Sequence, residues 1–145
     1  MVKSQVGAGA SPGADVEEVG RFRAHPFLKE KRFWLGLFTP GELARLAKFK
    51  DPYPHAAGIF SAKEAVIKSL SAFDKSAHLG QIEIRHERSG RPVVVFRTAA
   101  SAMRDIACRV SISHTRDLAL AVAVCQTDKN NYGAGRDKKK NQKNI

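Results

Sequence analysis

Hydrophobic residues in this chain recur first at helical spacing and then at every second position, and that order restricts the fold more than any other feature. Thr39-Pro40-Gly41-Glu42 is a capping box with proline at the first helical position, and Leu43, Leu46 and Ala47 repeat on one face behind it. This predicts a helix over about 40–49. Asp51-Pro52-Tyr53-Pro54 ends it, because a residue before proline is pushed out of the helical region. Phe60 to Leu70 is rich in helix formers and opens on Ser61-x-x-Glu64, a second box, so another helix is expected there. Beyond it Ile82, Ile84 and His86 alternate with polar residues, and Ser89-Gly90 turns the chain into Pro92–Phe96, a hairpin. Thr98 to Cys108 returns to helical spacing through Ala99, Ala102, Met103 and Ile106. Val110, Ile112 and His114 alternate again, and Thr115-Arg116-Asp117 turns into Leu118–Val124. Helices first, then hairpin, helix and hairpin, predict an α+β layer with a small antiparallel sheet.

The chain is 145 residues long, enough for one core. Residues 1–12 read as a flexible leader or a weak first strand, 13–128 as the folded domain, and 129–145 as a disordered basic tail. No apolar run approaches the roughly 20 residues of a spanning helix, and the start lacks a secretory pattern, so a cytoplasmic protein is expected. Cys108 and Cys125, both among apolar neighbours, read as reduced core thiols. The net charge is +11. Six basic residues and one acid lie in 129–145, leaving 19 basic and 13 acidic residues for 1–128. A body with that surplus favours acidic proteins, nucleotides or nucleic acid. No nucleic-acid motif or aromatic platform accompanies the charge, so nucleic acid is the weakest of these.

Single features have plain structural readings. Glu64 and Lys68 form an i,i+4 pair, and Glu64 is also the acid of a capping box. Asp15, just after Gly13, can be an early acid near a helix dipole. His114, between Ser113 and Thr115 at a strand end, can be a satisfied core histidine. Together they offer more: two carboxylates far apart in sequence, a lysine beside one of them, a Gly-x-Pro turn and a Ser-x-Ser-His-Thr strand end. Those are the parts that hold a magnesium-bound pyrophosphate, because Mg²⁺ takes one or two carboxylates plus phosphate oxygens and water.

Three ordered motifs resemble the phosphopantetheinyl transferases, in particular their small class typified by holo-[acyl-carrier-protein] synthase. Gly13-Ala14-Asp15-Val16-Glu17-Glu18-Val19-Gly20-Arg21 resembles the opening Gly-x-Asp with a later acid and arginine. Phe60-Ser61-Ala62-Lys63-Glu64-Ala65-Val66-Ile67-Lys68 resembles the signature helix. Val110-Ser111-Ile112-Ser113-His114-Thr115 is similar to the third motif. The likeness runs from about Gly13 to Val124.

The resemblance implies the 4′-phosphopantetheinyl transferase fold and transfer of the 4′-phosphopantetheine arm of coenzyme A to a serine of an apo acyl-carrier protein. The products are holo carrier and 3′,5′-ADP, and Mg²⁺ is the cofactor. Asp15 and Glu64 are the implied metal ligands and, with Lys68, the catalytic set; Glu64 is also implied to draw the serine proton through a water. Lys68 and His114 meet the coenzyme A phosphates, Ser89, Gly90 and Pro92 pack against its adenine, and Arg21 meets the acidic carrier. A homotrimer with sites shared between subunits is also implied. The alternative is a non-catalytic carrier-protein or coenzyme A binding module of the same fold. Two positions depart from the pattern. Pro12 stands where the first strand is usually apolar, and Ile59 replaces an arginine, which implies either weaker coenzyme A binding or a phosphate held by His55, Lys63 or Arg116 instead.

Overall fold

Leu118–Thr127 alternates alanine or cysteine with larger residues, and the strand it forms, β5, consequently has two unlike faces. In the computed structural model, which describes residues 9–97 and 103–127, β5 is the centre of an antiparallel three-stranded sheet. β1 (Ala10–Glu18) lies on one side of it, with Asp15 opposite Ala121. β4 (Ile106–His114) lies on the other, with Ile112 opposite the same Ala121. The helix α4 (Tyr53–Leu70) crosses the alanine face, where Ala119, Ala121 and Ala123 are fully buried. Small residues on the sheet let the helix come close, and Gly13 carries this furthest. A Cβ there would stand 2.1 Å from the Ala65 carbonyl oxygen, so α4 rests directly on the β1 backbone. Ser69 fixes the contact, its Oγ donating to Ser11 O and accepting from Cys125 N.

Three short helices precede or flank this pair of layers: α1 (Val19–Arg23), α2 (Lys31–Leu37) and α3 (Pro40–Leu46). α3 carries the expected capping box, Thr39 and Glu42 exchanging both hydrogen bonds. α1 and α2 were not legible in the sequence. They are held by the buried rings of Phe22, Trp34 and Phe38, packed against one another and against Phe60 of α4. The expected hairpin, β2 (Ile82–His86) and β3 (Pro92–Phe96), is present, but it forms a separate two-stranded sheet where a single small sheet was expected.

Four expectations are corrected. α4 begins at Tyr53 and not near Phe60, because prolines at the first helical positions lack only a donor that would be unpaired anyway. Ser61 is therefore no cap; it is buried in mid-helix and donates to Ala119 O at 3.5 Å. The expected helix over Thr98–Cys108 partly lies outside the described residues, but from Ile106 the chain is already in β4. Finally, Cys108 and Cys125 are joined by a disulfide, not reduced: β4–β5 register sets them directly opposite, Cα atoms 4.0 Å apart. β1 also includes Ala10, Ser11 and Pro12, so these residues form the weak first strand and not a leader. Pro12 fits there because β1 is an edge strand.

Candidate active site

Close seating of α4 on β1 brings together residues about fifty positions apart. Lys68 Nζ donates to Asp15 Oδ1 at 2.9 Å and to Ala14 O at 3.0 Å. The second carboxylate oxygen, Asp15 Oδ2, is buried and has no hydrogen-bond partner. Glu64 lies one turn before Lys68 and shares its face. Burial, then the charges of Asp15 and Glu17, push the Glu64 carboxyl above the usual range, with Lys68 and Arg21 opposing. The Lys68 ammonium is raised, first by its hydrogen bond to Asp15. Arg21, exposed on α1, pairs with Glu17 at 3.1 Å and lies 4.9 Å over the Phe60 ring. Asp15, Glu64, Lys68 and Arg21 thus lie near one another.

Among the described residues no three His, Cys, Asp or Glu side chains form a metal cage. Mg²⁺ does not need one, since two carboxylates suffice when phosphate and water complete its shell. An orphaned buried carboxylate oxygen beside a second, mutually repelled carboxylate fits a divalent cation.

The remaining candidates gather elsewhere. A cavity of about 200 Å³ is lined by Arg45, His55, Gly58, Ile59, His86, Gly90, Pro92, Ile112 and His114. A Cβ on Gly58 would come within 2.8 Å of Ile112 Cγ2, so glycine lets β4 approach α4 at this wall. His114, Gly90 and Pro92 were expected together here. Ser89 is not on the cavity wall; its Oγ accepts from Arg91 N at 3.4 Å and steadies the turn. Arg45 and His86 were missed as site residues. His86 had left a signal, since it ends the apolar face of its strand as His114 does.

Lys63 and Arg116 do not replace the charge absent at Ile59. Lys63 is fully buried, donating to Glu42 Oε2 and Leu37 O, each at 2.9 Å. Arg116 is exposed beside Asp117 and is not on the cavity wall. Of the three candidates only His55 reaches the cavity.

The two clusters occupy opposite flanks of α4. His55 and Glu64 are nine residues apart, about half a revolution around a helix of 3.6 residues per turn. The sheet agrees: Asp15 and Ile112 flank the same Ala121 from β1 and β4, roughly 10 Å apart, with α4 between.

The family model of the 4′-phosphopantetheinyl transferase superfamily matches residues 11–123, which hold both clusters. The chain belongs to this superfamily. Among curated relatives, the holo-[acyl-carrier-protein] synthase of Caldanaerobacter subterraneus subsp. tengcongensis is 40% identical over 120 residues, covering 77% of this chain and 91% of that protein. The protein of the same name from a Thermoanaerobacter species is 34% identical over 118 residues, covering 77% and 83%. Among solved structures, the acyl carrier protein synthase of Mycobacterium tuberculosis is 29% identical with a TM-score of 0.65, covering 83% of this transferase-family chain and 99% of its own. A coenzyme A complex of the Chronobacterium ammoniagenes enzyme has the same fold, with a TM-score of 0.69 at 24% identity, covering 81% and 97%.

Proposed function

We propose that this superfamily member is a holo-[acyl-carrier-protein] synthase, moving the 4′-phosphopantetheine arm of coenzyme A onto a serine of an apo acyl-carrier protein. The observation that carries this reading is the meeting of Asp15 and Glu64 beside Lys68, with one Asp15 oxygen buried and unclaimed. Asp15 and Glu64 would hold Mg²⁺, which supplies charge neutralisation at the pyrophosphate. The serine Oγ forms a bond to the phosphorus carrying the pantetheine arm, and the bond from that phosphorus to the bridging oxygen breaks, releasing 3′,5′-ADP. Glu64, beside the attacking hydroxyl, draws the serine proton through a water. Lys68, held over the site by Ala14 O and Asp15, faces the pyrophosphate charge. His114, Gly90 and Pro92 receive the nucleotide end. The exposed Arg21 and the positive body attract an acidic carrier.

We also propose a homotrimer in which each site is completed by a neighbouring subunit. The two clusters lie on opposite flanks of α4, so each is placed to face a different neighbour. On the outer face of the sheet, Val16, Leu118, Leu120, Val122 and Val124 are all at least 42% exposed, an apolar stripe suited to burial between copies. No helix among the described residues is long and apolar enough to cross a membrane. The reading places the enzyme in the cytoplasm, where thiol reductants would act on the Cys108–Cys125 bond.

The test is incubation with apo carrier protein, coenzyme A and Mg²⁺, followed by intact mass measurement. The wild type adds one phosphopantetheine, and Asp15→Ala and Glu64→Ala do not. Absence of labelling by the wild type, or normal labelling by either variant, overturns the assignment. A non-catalytic binding module would have no use for the Asp15–Lys68–Glu64 arrangement.

A further inference from the structure

The cavity on the β4 flank of α4 is lined by four basic side chains, Arg45, His55, His86 and His114, and by no carboxylate. Such a wall disfavours a cation and suits an anion. Its groups are also uncommitted: among the described residues, none of these four side chains forms a hydrogen bond or ion pair. His86 Nδ1 is buried with no partner, an unfavourable state that a ligand would relieve. The rings are held in place without using their nitrogens. His55 stacks on Phe49 at 3.6 Å, Arg45 lies 5.5 Å over the other partner of that stack, Phe49, and His114 meets the His55 ring edge-on at 5.0 Å.

We infer that His55 and His86 are phosphate-binding residues, joining Arg45 and His114 around a phosphate group of the nucleotide substrate and taking up protons as it binds. The substrate's identity rests on the function proposed above; the anion preference rests on the cavity alone. Without ligand, burial and then His114 and Arg45 hold the His55 imidazole below its usual value, with Asp51 opposing. Asp51 is itself engaged by Arg23 through two hydrogen bonds. Burial, then Arg45 and His55, do the same to His86. From α3, α4, the hairpin and β4, the charges nearest these two rings are therefore mostly positive. A phosphate reverses that balance and favours imidazolium. Affinity consequently increases as pH falls from 8 to 6.

The experiment is calorimetric titration of the full chain with 3′,5′-ADP in buffers of different ionisation enthalpy, at pH 6 and pH 8, with adenosine as the uncharged comparison. The wild type takes up protons with 3′,5′-ADP and not with adenosine. His55→Phe keeps the stack on Phe49, and His86→Gln keeps a polar group at the wall; each weakens 3′,5′-ADP about tenfold at pH 6, as expected for losing one charged hydrogen bond. Each variant also takes up fewer protons and approaches wild-type affinity at pH 8. Wild-type affinity and proton uptake in both variants, or equal uptake with adenosine, would refute the inference. Histidine ring NMR of the wild type gives a measure independent of variant folding: His55 and His86 must titrate at higher pH with 3′,5′-ADP bound. Carrier labelling separates the two claims. A wild type that binds 3′,5′-ADP with proton uptake but labels no carrier defeats the proposed function alone, and one that labels while the variants bind normally defeats this inference alone.

Discussion

Replacing Lys63 by methionine tests whether that lysine, adjacent to Glu64 in the signature helix, serves the core or the substrate. Its Nζ and the Glu42 carboxylate are both fully buried, 2.9 Å apart, and Nζ also donates to Leu37 O. Glu42 accepts from Thr39 N at 2.9 Å and Ile84 N at 2.8 Å, so the pair ties α3 and β2 to α4. Methionine fills similar volume but leaves a buried carboxylate facing two amides and no cation. Removing one partner of such a pair costs about 3–5 kcal/mol. For a domain of this size that is roughly 12–20 °C in melting temperature. Urea and thermal unfolding at matched protein concentration measure the loss, since assembly also shifts apparent stability. The double change Lys63→Met with Glu42→Gln should lose less than the single one. A single variant losing under about 1 kcal/mol, or with unchanged stability and a large rise in KM for coenzyme A, would refute the structural role.

Further outcomes follow from the same geometry. Gly13→Ala should lose several kcal/mol in urea unfolding, because its Cβ meets backbone at 2.1 Å, whereas Gly58→Ala, meeting only the Ile112 methyl at 2.8 Å, should lose about 1–3 kcal/mol. In metal-free protein, carboxyl NMR should find Glu64 titrating above its usual range, and Glu17→Gln should lower that midpoint by removing one repelling charge and releasing Arg21. Val122→Asp on the outer face of β5 should sediment as a smaller species and lose carrier labelling, while a fully assembled variant would contradict the shared site.

Much of the site was legible because its residues lie on short local patterns. Gly13-x-Asp15 and Lys63-Glu64 to Lys68 show acids and cations at spacings that need no knowledge of topology. The separation of Asp15 from His114 was not legible, since it depends on β5 lying between β1 and β4, an order set by long-range pairing. Lys63 misled for a related reason: a lysine within a motif looks available until its buried partner Glu42, on another helix, is located. Periodicity failed where two patterns overlapped. Met103 and Ile106 fit a helical repeat, yet Ile106, Cys108 and Val110 also alternate, and pairing with β5 decides for the strand. Once that strand is drawn, Cys108 stands opposite Cys125, and two isolated thiols become a cross-strand bond.

Because α4 keeps the acidic cluster on one side and the basic cavity on the other, the proposed trimer would let damage to the two be complemented in trans. In it a chain lacking Asp15 would still lend a sound cavity to one neighbour, and a chain lacking His55 would still lend sound carboxylates to the other. Equal mixing of two such damaged proteins, with subunit exchange, would rebuild roughly a quarter of the sites intact in a closed three-fold ring.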